Sequence, residues 1–238
     1  MLSDLASVMW KETSEFIGSG RSLRVFAIAV VLMGILPTIT LRHTAGGATE
    51  GLRLIVGAAY DLFAAVIVVA NTAPDLVLHE RVGRTLDYLL ATRLPDAAIF
   101  LGKVFMAAVV GYLAALVATG LQLAFTALLS GNGWSWLYLG DAAGRILVFA
   151  LPAALVLYVA VVGTFVALRV GDQRSAYLVT VLSLGVLIVP FLLGWLQIAL
   201  TAAWFGHAAA VLGVFALVLA ALGVVLFKRE LLILYLQE

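Results

Sequence analysis

The sequence predicts an all-α, polytopic membrane protein with six transmembrane helices. Of its 238 residues, 64% are hydrophobic and 11% are charged, whereas about 25% of the residues of a soluble domain are charged. Six apolar runs are long enough to cross a bilayer, which takes about 20 residues each. No composition shift or linker divides the chain, so residues 1–238 are predicted to form one transmembrane domain.

The first element, residues 1–20, is predicted to be an amphipathic helix. Its apolar residues recur at spacings of three, four and seven, which places them on one helical face. They are Leu2, Leu5, Met9 and Phe16, and the charged residues Asp4, Lys11 and Glu15 gather on another side. Glu12 intrudes near the apolar face. Such a helix can lie flat in the lipid headgroup layer, and the sequence Gly18-Ser19-Gly20 then supplies a bend into the membrane.

The six predicted spans follow in order, separated by short loops. They are residues 23–41, 52–73, 98–129, 143–168, 177–200 and 207–227. The third run is longer than a bilayer requires, so we expect it to tilt or to protrude. A basic tail, residues 228–238, follows the last span.

The basic residues predict the orientation of the chain, because Lys and Arg concentrate in cytoplasmic loops. With six spans, both termini lie on the same side. That side collects all of the fourteen Lys and Arg residues except Arg42, Arg53 and Arg145. Both termini are therefore predicted to be cytoplasmic, and the chain is expected in a bacterial-type cytoplasmic (inner) membrane.

Between the second and third spans lies a dense island of charge, residues 79–96, with the sequence HERVGRTLDYLLATRLPD. Glu80 and Arg84 are four residues apart and Arg84 and Asp87 three apart, so opposite charges meet on one exposed helical face. The pair Pro95-Asp96 suits the first turn of a new helix. An apolar stripe shares the island at helical spacing, formed by Val82, Leu86, Leu89 and Leu90. This stripe predicts a short cytoplasmic helix that docks against lipid, the spans or a partner.

The stretch ERVGRTLDYLLATRLPDAAIFLGKV, residues 80–104, resembles the signature of ATP-binding-cassette transporter permeases of the type-2 exporter class. Members commonly carry an acidic-basic pair, Gly-Thr-Leu-Glu, Leu-Leu, Ala-Thr-Pro and then Gly-Lys. The matching residues are Glu80-Arg81, Thr85-Leu86-Asp87, Leu89-Leu90-Ala91-Thr92 and Gly102-Lys103. Arg84 stands where the glycine before threonine is usual, and Arg93 replaces the usual proline. The amphipathic N-terminus, the six spans and the basic FKRELL after the last span agree with the resemblance.

The resemblance implies a permease subunit of an exporter. Two permease chains, copies or siblings, would form the translocation path, and residues 74–97 would be the coupling segment that rests on separate ATPase subunits. The implied coupling contacts are Glu80, Arg81, Arg84, Thr85, Asp87, Leu89 and Leu90. This chain carries no phosphate-binding loop of the form G-x-x-x-x-G-K-[ST]. ATP and Mg²⁺ would therefore bind to the partner ATPase, and this chain would hold no cofactor or metal and have no catalytic residue of its own.

Asp61 supports the alternatives, an ion-coupled secondary carrier or an intramembrane enzyme. It is the only acid placed well inside a predicted span, where an ionisable group is costly and by default a functional candidate. With Tyr60 beside it, Asp61 is a candidate for the translocation path. No His or second acid lies at a helical spacing that would complete a catalytic pair or metal site. The short outer loops and apolar spans fit a lipophilic or amphipathic cargo.

Other partners and chemistries are disfavoured by composition. The net charge of +1 gives no basis for a nucleic-acid partner. Cysteine is absent and there are three scattered histidines, so the sequence predicts neither disulfides nor a zinc site.

Overall fold

A computed structural model of the protein describes residues 2–43, 50–82, 95–130, 142–184 and 202–226. Within those ranges only Ser19, Pro95 and residues 170–172 lie outside a helix. The all-α prediction is therefore confirmed for the part of the chain that the structure describes.

Seven helices carry labels below. They are α1 (Leu2–Gly18), α2 (Gly20–His43), α3 (Glu50–Val82), α4 (Asp96–Ser130), α5 (Leu151–Arg169), α6 (which begins at residue 173 and is described to residue 184) and α7 (Ala202–Leu226). Before α5, a single α-helical turn (Ala142–Arg145) leads into a π-helical segment (Ile146–Ala150). The predicted restart at Pro95-Asp96 and the predicted bend between Gly18 and Gly20 are both confirmed.

Five of the described helices are long and apolar enough to cross a membrane. Their spanning segments are Gly20–Thr40, Val56–Glu80, Asp96–Leu129, Ile146–Arg169 and Phe205–Val225. These segments correspond to five of the six predicted spans and support the expectation of a membrane-embedded chain. The other predicted span, 177–200, extends beyond the described residues after residue 184, and so does the tail 228–238.

The second span continues further than the sequence predicts. We expected it to end at residue 73, before Pro74, but α3 runs through Pro74 to Val82. Proline removes one helical hydrogen bond, a loss that packing can offset within a membrane bundle. The packing here is close: a Cβ atom on Gly163 of α5 would lie 3.0 Å from the Cβ of Ala73 and 3.5 Å from the Cδ of Pro74. Residues 74–82 of the expected coupling segment therefore belong to α3.

The helices alternate in direction, which gives the bundle two ends. Near one end, Ser22 at the start of α2 donates a hydrogen bond to Asp75 near the end of α3, over 3.3 Å. At the other end, the hydroxyl oxygens of Thr40 and Tyr60 lie 3.5 Å apart. We call the first the charged end, because the charged residues of α1, α3 and α4 meet there, and the second the opposite end.

Helices α3, α4 and α5 form the centre of the bundle. Between 56% and 61% of the residues in their most apolar stretches are buried, against 28% in α2 and 22% in α7. Small residues allow this close packing, among them Ala65, Ala107, Ala114 and Ala160, all fully buried. Helices α2 and α7 expose a larger share of their apolar side chains, such as Leu32 and Val211, as expected for surfaces that face lipid.

The π-helical segment before α5 has a local cause. Pro152 has no backbone N–H and its ring crowds the carbonyl four residues earlier. The chain widens there, and the N–H of Leu151 donates to the carbonyl of Ile146, five residues back. Hydropathy patterns do not register this irregularity, so the sequence predicted one continuous span over 143–168.

Candidate functional site

Helix α1 packs directly against the first turns of α4 at the charged end. Val8 is 3% exposed and faces Gly102, where a Cβ atom would lie 2.5 Å from its Cγ1. Thr13 lies 3.2 Å from the sulfur of Met106. Glu12, which the sequence showed as an intrusion near the apolar face, is fully buried. The opposite face of α1 exposes Trp10 by 78%, so α1 rests on the bundle and can present this face to the headgroup layer.

Four charged residues meet where α1 touches α3 and α4: Lys11, Glu12, Glu80 and Lys103. We call them the lysine–glutamate cluster. Lys103 is its centre, with 3% of its side chain exposed. Its Nζ donates to Oε1 of Glu12 over 2.7 Å and to the carbonyl of Leu76 over 2.7 Å, and it lies 2.8 Å from Oε2 of Glu80. The ammonium thus makes two hydrogen bonds and an additional ion pair with Glu80.

Lys11 closes the cluster from its half-exposed side. Its ammonium donates a hydrogen bond to Oε1 of Glu80. It also lies 3.7 Å from Oε1 of Glu12 and 3.4 Å from Oε1 of Glu15. Two lysines therefore balance the two buried carboxylates, Glu12 and Glu80, and Glu15 adds a third acid at the rim.

Burial raises the pKa of Glu12, and the ion pair with Lys103 only partly opposes this effect. The negative charge of Glu80 acts in the same direction as burial. The second oxygen of Glu12, Oε2, has no hydrogen-bond partner among the described residues. Such a buried cluster holds its partners in one arrangement, because removing any member leaves an uncompensated charge.

The pKa of Lys11 gives a testable pH dependence. Burial lowers this pKa, but the hydrogen bond to Glu80 and the charges of Glu12 and Glu15 more than offset burial, so it lies above 10.5. The folded state thus holds this proton more tightly than the unfolded chain. Protonated Lys11 therefore raises the free energy of unfolding. This contribution is fully present below pH 10.5 and is lost as pH rises through the raised pKa of Lys11.

We therefore expect the unfolding temperature of the unaltered chain to fall more steeply above this pH than that of Lys11→Gln. Thermal unfolding in detergent across the alkaline range measures the difference. Parallel curves for the two proteins would contradict the ionic role of Lys11, while Arg24→Gln, on the neighbouring helix, controls for the loss of one positive charge.

The residues predicted to contact an ATPase divide between described and undescribed parts of the chain. Glu80 is 2% exposed and paired with the two lysines, so the expectation that it faces solvent beside Arg84 is wrong. Its position at the end of α3 turns it towards α1 and α4. Arg81 lies in α3, but its side chain is outside the described set. Arg84, Thr85, Asp87, Leu89 and Leu90 lie outside the described residues.

A second polar site lies towards the opposite end. Asp61 of α3 is 2% exposed, and Thr119 of α4 lies 2.8 Å from its Oδ2. The Thr119 hydroxyl is also 3.0 Å from the carbonyl of Ala115. The other carboxyl oxygen, Oδ1, has no hydrogen-bond partner among the described residues. Tyr60 is half-buried and points its hydroxyl towards Thr40 of α2, so the structure does not pair Tyr60 with the Asp61 carboxyl.

The sequence did not identify four residues of these sites as functional candidates: Lys11, Glu12, Lys103 and Thr119. Lys103 sits within an apolar run, and a lysine buried in a span normally requires an acidic partner. Glu12 was visible as an acid near an apolar face. These two signals together could have suggested the pairing of α1 with α4. Thr119 carried no signal, because one threonine in an apolar helix is ordinary.

No protein-family model matches the chain, and no curated protein is significantly similar to it.

Proposed function

We propose that this chain is the membrane-spanning permease subunit of an ATP-binding-cassette exporter. The observation that carries the proposal is the pairing of Glu80 with Lys103. These residues lie near the two ends of the stretch that resembles the permease signature, and their charged atoms are 2.8 Å apart. Helix α3 therefore ends and α4 begins at the same end of the bundle, the charged end, as a coupling segment between them would require.

The lysine–glutamate cluster supports a mechanism for coupling. It joins α1, α3 and α4 through buried charges, so a force on the segment between α3 and α4 acts on three helices together. Helices α3 and α4 lie at the centre of the bundle. Their displacement as one body would rock the bundle between inward-facing and outward-facing states, a rigid-body transition of the kind that packed interfaces support.

The partners follow from the same proposal. The charged end would face the cytoplasm and hold the ATPase subunits, which would bind ATP and Mg²⁺. A second permease chain, a copy or a sibling, would complete the translocation path. The exposed apolar faces of α2 and α7 are the surfaces available to lipid and to that second chain.

Asp61 favours a second candidate function, an ion-coupled carrier. A carboxyl that is 2% exposed within a span, with one oxygen lacking a hydrogen-bond partner among the described residues, is a place where an ion or proton can bind. An intramembrane enzyme has weaker support, because the only described partner of Asp61 is a threonine hydroxyl.

Capture of an ATPase tests the permease proposal. The chain is expressed with its operon neighbours, purified in mild detergent and assayed for co-purifying ATPase activity. We expect a cassette ATPase to be recovered. The double variant Arg84→Glu/Asp87→Lys should lower the retained ATPase by about tenfold or more, because reversing paired interface charges costs several kcal/mol and 1.4 kcal/mol is tenfold in affinity.

Glu80 is left intact in this experiment because its replacement would disturb the cluster. Arg174→Glu, in the exposed turn of α6 at the charged end, is the matched charge-reversal control and should retain the ATPase. A stable chain that captures no ATPase would overturn the proposal and favour the carrier.

A further inference from the structure

We propose that Asp61 and Thr119 form a binding site within the membrane for the single positive charge of a lipophilic cation. The bound cation would be the cargo of the proposed permease, and its role as cargo rests on that proposed function. Asp61 lies five residues into its span, about 8 Å from the start of that span at the opposite end. A ligand entering at that end has only a short distance to travel.

The first argument is the missing counter-charge. A buried carboxylate requires a cation or a proton, because an isolated charge in apolar surroundings is very costly. Among the described side chains, no lysine, arginine or histidine pairs with Asp61. The neighbouring helices α2, α4 and α5 supply no positive charge either. Their residues 25–41, 104–130 and 151–168 contain no charged residue or histidine.

The other titratable side chains that the structure describes around the site do not supply that charge. Tyr60, Tyr112 and Tyr158, on α3, α4 and α5, carry no positive charge in either protonation state. Arg145, before the π-helical segment, and His207, in the first turns of α7, are both exposed. One positive charge is therefore the complement that the buried carboxylate lacks.

Thr119 provides the second argument, because its single hydroxyl hydrogen has two acceptors within reach. When Asp61 is ionised, Thr119 can donate to Oδ2 over 2.8 Å. When Asp61 carries a proton, Asp61 can donate to Thr119, and Thr119 can donate to the carbonyl of Ala115 over 3.0 Å. The same geometry thus keeps the hydrogen bond between Oδ2 of Asp61 and Thr119 in both protonation states. A proton holds the site at rest, and an incoming cation replaces it.

The surroundings indicate the chemical class of the ligand. Ala58 and Leu62 lie one turn or less from Asp61 on α3 and pack within an apolar cluster with Leu147 and Leu151. Among the described side chains, Thr119 alone hydrogen-bonds to the Asp61 carboxyl, and one hydroxyl cannot replace the hydration shell of a small metal ion. A cation whose charge is spread over apolar substituents needs no such replacement, so an organic cation fits the site best.

Binding of tetraphenylphosphonium to the full chain in lipid nanodiscs tests the inference. We expect Asp61→Asn to weaken binding by about tenfold or more, which corresponds to 1.4 kcal/mol or more, and Asp61→Glu to retain it. Thr119→Val should weaken binding and Thr119→Ser should not. Lowering the pH should weaken binding to the unaltered chain, because protons compete for the carboxylate.

The matched control is Asp75→Asn, the same substitution on the same helix near the charged end, and it should bind as the unaltered chain does. Equal binding by Asp61→Asn, or equally tight binding of the uncharged triphenylphosphine oxide, would overturn the inference. Because no ATPase is present, loss of binding here leaves the ATPase-capture result unaffected. Failure of capture with binding retained would overturn the permease proposal alone.

A second measurement needs no variant and so holds even where Asp61→Asn fails to fold. Dicyclohexylcarbodiimide reacts with protonated carboxyl groups in apolar surroundings, and mass spectrometry of the peptides identifies the modified residue. We expect labelling at Asp61 that tetraphenylphosphonium suppresses. Labelling of Asp61 at the same rate with and without the cation would contradict a shared site.

Discussion

Replacing Lys103 with methionine should lower the free energy of unfolding by about 3–5 kcal/mol, the cost of removing one partner from a buried ionic group. The substitution leaves Glu12 and Glu80 buried with only the half-exposed Lys11 to balance them. It also removes the donor to the carbonyl of Leu76. Methionine is unbranched and only one atom shorter than lysine, so the lost charge and hydrogen bonds, and not a cavity, dominate the effect.

Denaturant titration of the chain in mixed micelles measures this loss. The decisive comparison is the triple variant Glu12→Met/Glu80→Met/Lys103→Met, which removes the buried charges together. Replacing a whole buried ionic group with apolar residues of similar volume is often close to neutral for stability, so the triple variant should recover most of the loss. If it is as unstable as Lys103→Met alone, the packing of the side chains and not their charges holds the three helices.

The sequence predicted the described helices well because each follows from a local pattern. Pro95-Asp96 predicted the start of α4, and the Gly18-Ser19-Gly20 stretch predicted the break before α2. The prediction was wrong where tertiary packing overrides local preference. Pro74 remains within α3 because α5 approaches closely at Gly163, and that contact joins residues almost ninety positions apart in the chain.

The candidate sites were predictable only in part, for the same reason. Asp61 was identified because an acid in a span is unusual on its own. Glu80 was identified through the charged island but placed on an exposed face, since its partners Lys11 and Lys103 come from distant segments. Helical spacing within α3 gives the direction of a side chain relative to its own helix. It does not indicate which neighbouring helix lies there.

The two polar sites are far apart but share the same two helices. Glu80 and Asp61 are nineteen residues apart on α3, which corresponds to about 28 Å. Lys103 and Thr119 are their partners on α4. A displacement at the charged end therefore reaches Asp61 along α3 and Thr119 along α4. The packing of these two helices midway between the sites decides whether they move as one body.

Gly111, midway between Lys103 and Thr119, is a glycine of α4 that packs directly against α3. A Cβ atom there would overlap Cγ2 of Val69 and lie 3.4 Å from the carbonyl of Ala65. Gly111→Ala should therefore destabilise the chain by about 1–3 kcal/mol, the usual cost of overpacking. Gly120→Ala is the matched control on the same helix. Nothing lies within 4 Å of its added Cβ, so it should stabilise the chain by about 0.5–1 kcal/mol.

Val69→Ala in the Gly111→Ala background separates a steric effect from a loss of backbone freedom. Removing the γ-methyl groups of Val69 makes room for the new Cβ atom, so the double variant should regain part of the lost stability. Gly111→Ala should also weaken tetraphenylphosphonium binding, because the spacing of Asp61 and Thr119 depends on the contact between Gly111 and Val69. The double variant should regain part of that binding. If Gly120→Ala destabilises the chain as much as Gly111→Ala does, the cost at Gly111 does not come from its packing against α3.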